Sequence, residues 1–383
     1  MRGLKKVFLP LIFFLAFIPF LKTIYDHWPS YIAPFDPKLM ESYYQDSIYG
    51  RGEGGARIAD ELLFSYAAWN YINGGNPILL NPENPPLGKY LVGLSIKLFN
   101  NDKIFTLIFS FLSMYSIFLL GRIFLKNNWL ALIPVVLFSW EQLAREQLIY
   151  APLFEVFALT FLCLSLCFFI KALENNKYFW LSSFFIGTLW AVRPWMATVP
   201  LLASFAVYLF LVEKKLAKII SWFISLPLAA TTLLLSYFKL LSEGWSLYKV
   251  LSVQKWILWY HQSRLIKFGT VWTLIYFNRW YVWWGDQPFL RMVQWNIFWP
   301  VFTTLALICS VLVFLKVFGL CQRRLKNLKV DKKITVLCLW VIFYLAFLSI
   351  GNINSRYLFY LLPYNYFLGI YLISLALSVK KKT

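Results

Sequence analysis

Asp60 and Glu61 are adjacent carboxylates at the head of a helix-forming stretch, in the longest polar interruption before Ser242. A positioned carboxylate can take a proton from an attacking group as a general base. Asp60 is the expected base and Glu61 its positioning partner. The same pair also suits the first turn of any helix, where acidic side chains cap backbone N–H groups and complement the dipole; both readings stay open. The stretch closes with Asn84-Pro85-Pro86-Leu87-Gly88-Lys89, a rigid Pro-Pro followed by a lysine. Lys89, Arg145, Arg193 and Arg356 stand at or near the ends of apolar runs. An arginine holds a phosphate with two donors and a lysine holds it as a point charge. Snorkelling at a membrane edge explains the same placement.

The elements that must position these residues follow from composition. The 383 residues are 60 % hydrophobic and only 14 % charged, where a soluble domain carries about 25 % charged residues. No polar stretch is long enough to build a soluble core. The expected fold is therefore all-α, a polytopic integral membrane protein of about ten or eleven crossings, with residues 1–383 forming one membrane domain. The net charge of +20 does not point to nucleic acid, because Lys and Arg cluster at the ends of apolar runs, as the positive-inside rule requires. The five cysteines lie in or beside apolar runs without metal-ligand spacing and read as buried free thiols. His261 has no second ligand at metal-binding spacing, so no cofactor is expected and a divalent metal is not indicated.

Spanning takes about 20 apolar residues. The candidate crossings are 7–23, 104–125, 129–143, 151–172, 178–192, 194–212, 217–241, 297–319, 334–350 and 357–378. The start reads as an uncleaved membrane helix, since Pro19, Phe20 and Leu21 make a poor cleavage site. With every basic cluster placed in the cytoplasm, the loops left outside are 24–103, the turns near 144–150 and Arg193, 242–296, and 351–356. Within 24–103, amphipathic helices are expected near 57–73 and 86–99, the second lying at or dipping into the outer face; a true crossing there would make eleven. The tryptophan-rich loop 242–296 is expected along the membrane surface.

Asp60-Glu61 followed by Asn84-Pro85-Pro86-Leu87-Gly88-Lys89 resembles the first external loop of protein O-mannosyltransferases, which use dolichyl-phosphate mannose, and of related membrane glycosyltransferases of the GT-C superfamily. Asn84 stands where many members have histidine. Arg145-Glu146-Gln147 through Glu155 resembles the superfamily's second acidic site, with Glu155 where aspartate is usual and Glu146 competing for the role. Arg193-Pro194 resembles a helix end that carries a basic residue in relatives. Ser355-Arg356-Tyr357-Leu358 with Pro363 resembles the segment opening a late helix. The resemblance covers 1–220 well and 242–300 poorly. It implies transfer of a sugar, mannose by default, from a polyprenyl- or dolichyl-phosphate donor to an unidentified acceptor at the extracytoplasmic face of the cell membrane. Asp60 and Glu61 would be catalytic, and Asn84, Lys89, Arg145, Glu155, Arg193 and Arg356 would bind substrate or lipid phosphate. Two rivals remain: a transporter or flippase of a lipid-linked sugar, and a catalytically inactive lipid-binding subunit.

Overall fold

The computed structural model describes residues 17–262, 267–281, 289–320, 330–351 and 353–380. Among them the secondary structure is helical, with only two isolated bridges, Ser47–Ala56 and Trp280–Leu290, in place of strands. Helices of eight residues or more are numbered α1 Pro37–Gln45, α2 Asp60–Ile72, α3 Leu87–Phe99, α4 Ile104–Leu125, α5 Asn128–Trp140, α6 Gln142–Ile149, α7 Glu155–Ala172, α8 Tyr178–Val192, α9 Thr198–Val207, α10 Leu216–Ser236, α11 Leu247–Gln262, α12 Thr270–Phe277, α13 Phe298–Val317, α14 Thr335–Ser349 and α15 Leu362–Lys380. Of the first expected crossing only 17–23 lies within the described residues, and it is helical.

Among the described residues five helices are long and apolar enough to cross a membrane: α4, α7, α10, α13 and the run Lys332–Ser349 that contains α14. Shorter apolar helices stand at α5, α8, Thr198–Glu213 and α15. These are consistent with a multi-pass membrane protein. Large apolar side chains face outward along α10 (Ile220, Phe223, Ile224, Leu235) and α13 (Val301, Ile308, Val311). Stripes of that size are rarely left to water.

α7 is the central post. Its span is 83 % buried against 28 % for α10, and it packs on α4 and α8, while α8 packs in turn on α10. Between lipid-embedded helices apolar area gives little net attraction, so close approach and small polar contacts carry the packing. The Ser183 and Ser225 hydroxyls meet at 2.7 Å between α8 and α10. A Cβ on Gly187 would fall 2.5 Å from the Ala229 carbonyl oxygen, so that approach needs glycine. The four cysteines among the described residues are free and buried; Cys321 lies outside them.

Several expected boundaries move. The 129–143 run stops at Trp140, because Glu141 turns its buried carboxylate onto Asn296 and Trp299 (2.9 and 3.1 Å) and the Tyr366 hydroxyl. The 217–241 run breaks after Ser236, and 357–378 begins as a 3-10 segment, Ser355–Tyr360, before α15. The two helices expected in the first long loop form as α2 and α3, and α1, which was not expected, precedes them. α3 is one-sided, burying Gly88, Lys89, Val92, Gly93, Ser95 and Ile96 at helical spacing. α2 is not: every residue from Leu63 to Ala68 is buried, since α1 and α3 both pack on it. The 242–296 loop is not uniformly superficial either. Trp256 and Trp259 face outward, but Trp280 and the α12 residues Val271, Leu274 and Ile275 are buried. Trp283 and Trp284 lie outside the described residues, as does the His261 side chain.

Candidate functional site

Asp60 is the first residue of α2, with Ala59 in extended conformation before it. Its carboxylate accepts from the Arg356 guanidinium at 2.5 Å. Arg356 is aimed by the loop that delivers it. Asn354 caps the 3-10 segment by accepting from the Arg356 backbone N–H at 3.0 Å. Just upstream, the Trp280 indole donates to the Ile353 carbonyl. The Tyr344 hydroxyl in α14 donates to the Tyr357 carbonyl at 2.9 Å. Burial works against the Arg356 charge, but Glu155 and Asp60 more than offset it and hold its pKa above the ordinary arginine value.

A second ion pair lies beside the first. Glu155 begins α7 with no exposed surface and pairs with the Arg193 guanidinium, which extends from the C-terminal end of α8. The other face of that fork donates to Asn84 Oδ1 at 2.9 Å. The guanidinium sits 5.7 Å from the Phe154 ring centre, and Phe154 stacks on Phe64 of α2 at 4.1 Å. The second carboxylate oxygen of Glu155, Oε2, is buried without a hydrogen-bond partner. Such an atom costs about 1–3 kcal/mol unless something donates to it.

The Asn84–Lys89 stretch divides its work among three contacts. Asn84 holds Arg193. Gly88 lets α3 approach Phe154, since a Cβ there would lie 3.0–3.2 Å from the ring. Lys89 is fully buried and spends its ammonium on the stretch itself, donating to the carbonyls of Asn81 and Asn84 and to the Tyr71 hydroxyl. Removal from water pushes its pKa down to about 7, with Glu83 acting upward and Arg193 downward.

Two cavities meet at the Asp60–Arg356 pair, and Asp60, Asn354 and Arg356 line both. The smaller, about 270 Å³, is also lined by Asn84, Glu155, Arg193 and Tyr357. The larger, about 320 Å³, is also lined by Glu61, Glu146 and Trp280. Burial raises the pKa of both glutamates. Of the eight residues singled out from sequence, six line one cavity or both. Lys89 and Arg145 line neither. Lys89 is consumed by internal acceptors, and Arg145 lies on α6 near Glu141 and Glu146. Among the described residues no three His, Cys, Asp or Glu side chains group as metal ligands.

Sequence reasoning did not single out Asn354 or Gln294. Asn354 carried a readable signal, an Asn two residues ahead of Arg356 at a helix start. Gln294 carried none: it reaches Glu146, 148 residues away, through tertiary structure alone. No protein-family model matches the chain, and no curated protein matches it.

Proposed function

We propose that the chain is an integral-membrane glycosyltransferase, moving a sugar from a polyprenyl- or dolichyl-phosphate donor to an acceptor hydroxyl at the extracytoplasmic face. The observation that carries this reading is the Asp60–Arg356 pair at the rim of a cavity that also holds Arg193 and Glu155. A base and two guanidiniums in one pocket match what the reaction needs. The acceptor hydroxyl gives its proton to the Asp60 carboxylate as its oxygen bonds to the anomeric carbon. The bond from that carbon to the phosphate oxygen breaks with inversion, and the lipid phosphate leaves with its charge held by Arg193 and Arg356. In this reading the five apolar spans, the shorter apolar helices and the N-terminal segment make about ten crossings of the cell membrane. The loops that carry Asp60, Glu146, Arg193, Gln294 and Arg356 then share the outer side.

Protein reconstituted in nanodiscs and given a polyprenyl-phosphate sugar should release free lipid phosphate and a glycosylated product by mass spectrometry. Asp60→Asn should abolish both while keeping the same melting temperature. Wild-type turnover in that variant would reject Asp60 as the base. One feature favours a binding-only relative instead: two of the three carboxylates that line the smaller cavity, Asp60 and Glu155, already have arginine partners. That protein would bind the lipid phosphate without consuming it. Uptake of the lipid-linked sugar into sealed vesicles, chemically unchanged, would decide for a transporter.

A further inference from the structure

We propose that the larger cavity is the acceptor site and that it takes an uncharged, polyhydroxylated ligand, a saccharide, rather than an anion or an amine. The inference rests on the glycosyltransferase reading above, and it follows from the carboxyl and amide groups and the aromatic rings that share the cavity wall.

The lining side chains include three carboxyls, Asp60, Glu61 and Glu146, and the amides of Gln147, Gln294 and Asn354. Gln147 Oε1 and Gln294 Oε1 are buried within the wall without a partner, so the oxygens that a ligand meets first are those of the carboxyls. Several of the donors nearby already serve these oxygens. Arg356 serves Asp60. The Gln294 amide N–H serves Glu146 at 2.8 Å, and the Gln142 amide serves the same oxygen at 3.2 Å. A wall of carboxyl, amide and hydroxyl groups fits a ligand whose O–H groups can both donate and accept.

Three further features narrow the class. An anion would meet Glu61 and Glu146, and the guanidinium in this wall, Arg356, is shared between Asp60 and, in the reading above, the donor phosphate. Burial already disfavours the charged forms of both glutamates, so the pocket is suited to neutral hydroxyls more than to a cation that would need both charges. Two aromatic rings, Tyr150 and Trp280, stand in the same wall. A saccharide presents an apolar C–H face to such rings and hydroxyls around its edge. Trp280 is fixed by its bond to the Ile353 carbonyl, next to the loop that carries Arg356, so a ring seated on it would bring a hydroxyl toward Asp60.

The test uses the full chain in nanodiscs with two probes. Methyl α-mannoside binding is followed by saturation-transfer NMR, and a short polyprenyl phosphate is titrated separately. The expected result is that Glu146→Ala and Tyr150→Ala each weaken methyl mannoside at least about tenfold and leave polyprenyl-phosphate binding unchanged. Tyr150 is half exposed, so its variant reports on the site without disturbing the core. If polyprenyl phosphate binds but methyl mannoside does not, or binds all three proteins equally, the acceptor-site inference fails and the donor reading stands. Displacement of methyl mannoside by putrescine or by glucuronate would overturn the uncharged-ligand class. If polyprenyl phosphate fails to bind wild type, the glycosyltransferase reading itself fails.

Discussion

Asp60 and Arg356 are separated by 296 residues in the chain and by 2.5 Å in the fold, and their pair forms the wall common to both cavities. It is only partly buried, with 26 % of the arginine side chain and 44 % of the aspartate exposed. Solvent therefore screens it, and its stabilising contribution falls near the modest range of surface pairs, about 0–1 kcal/mol. Its value lies in geometry, because a two-donor fork can hold Asp60 and face a phosphate at once.

Arg356→Lys should for that reason separate stability from activity. The lysine keeps a positive charge but cannot serve two anions with a planar fork. The expected outcome is a melting temperature within a few degrees of wild type and a loss of transfer of roughly tenfold to a hundredfold, since one charge-assisted hydrogen bond is worth about 1.5–3 kcal/mol. Steady-state turnover of the lipid-linked sugar checks it. Unchanged turnover would remove Arg356 from the phosphate side.

Arg193 and Glu155 should behave in the opposite way. Glu155 has no exposed surface and Arg193 is 13 % exposed. Removing one partner strands a charge in the interior, at a cost of about 3–5 kcal/mol. Arg193→Ala should thus lower the melting temperature markedly, and Arg193→Leu with Glu155→Leu together should recover much of the loss. Thermal unfolding of the two variants in nanodiscs separates these outcomes. If the double variant is no more stable than Arg193→Ala, the penalty is not that of an unpaired buried carboxylate.

How much of this was legible beforehand depended on whether the deciding signal was local. α2 and α3 could be placed from the acidic pair at one start and Pro85-Pro86 at the other. Arg193 could be placed at a turn because it falls between the apolar runs 178–192 and 194–212. What could not be read was what covers each face. α2 is enclosed all round because α1 folds back over it, and no periodicity within 57–73 announces a neighbour twenty residues upstream. Lys89 looked like a free cation because nothing in Leu87-Gly88-Lys89 says that the carbonyls of Asn81 and Asn84 will turn toward it. Glu141 looked like the interior of a longer crossing until its partners on α13 and α15 were in place.

Gly88→Ala probes the packing beneath Arg193 without touching a charge. The new methyl would lie 3.0–3.2 Å from the Phe154 ring, so that ring must shift. Overpacking of this kind costs about 1–3 kcal/mol. Because Phe154 stacks on Phe64 and underlies Arg193, the displacement should reach the guanidinium and weaken polyprenyl-phosphate binding. Adding Phe154→Leu makes room for the methyl and should restore part of the stability but not the stacking. A melting temperature equal to wild type in Gly88→Ala would show that the ring yields freely.

Lys89 gives the pH dependence a definite sign. Its folded pKa lies near 7, below the ordinary 10.5, because burial strips water from the ammonium. Between those values the unfolded chain binds a proton that the folded chain gives up, so stability rises with pH across that window. Below about pH 7 the full cost of burying the charge is present, and above about pH 10.5 it is gone. Lys89→Met lacks this titration but leaves the Asn81 and Asn84 carbonyls without their donor. The melting temperature of wild type minus that of Lys89→Met should therefore grow in favour of wild type between about pH 6.5 and pH 9, at most by the equivalent of roughly 1.4 kcal/mol per unit. A difference that stays flat, or shrinks, would mean that three acceptors hold the ammonium charged across the range and that burial does not control this lysine.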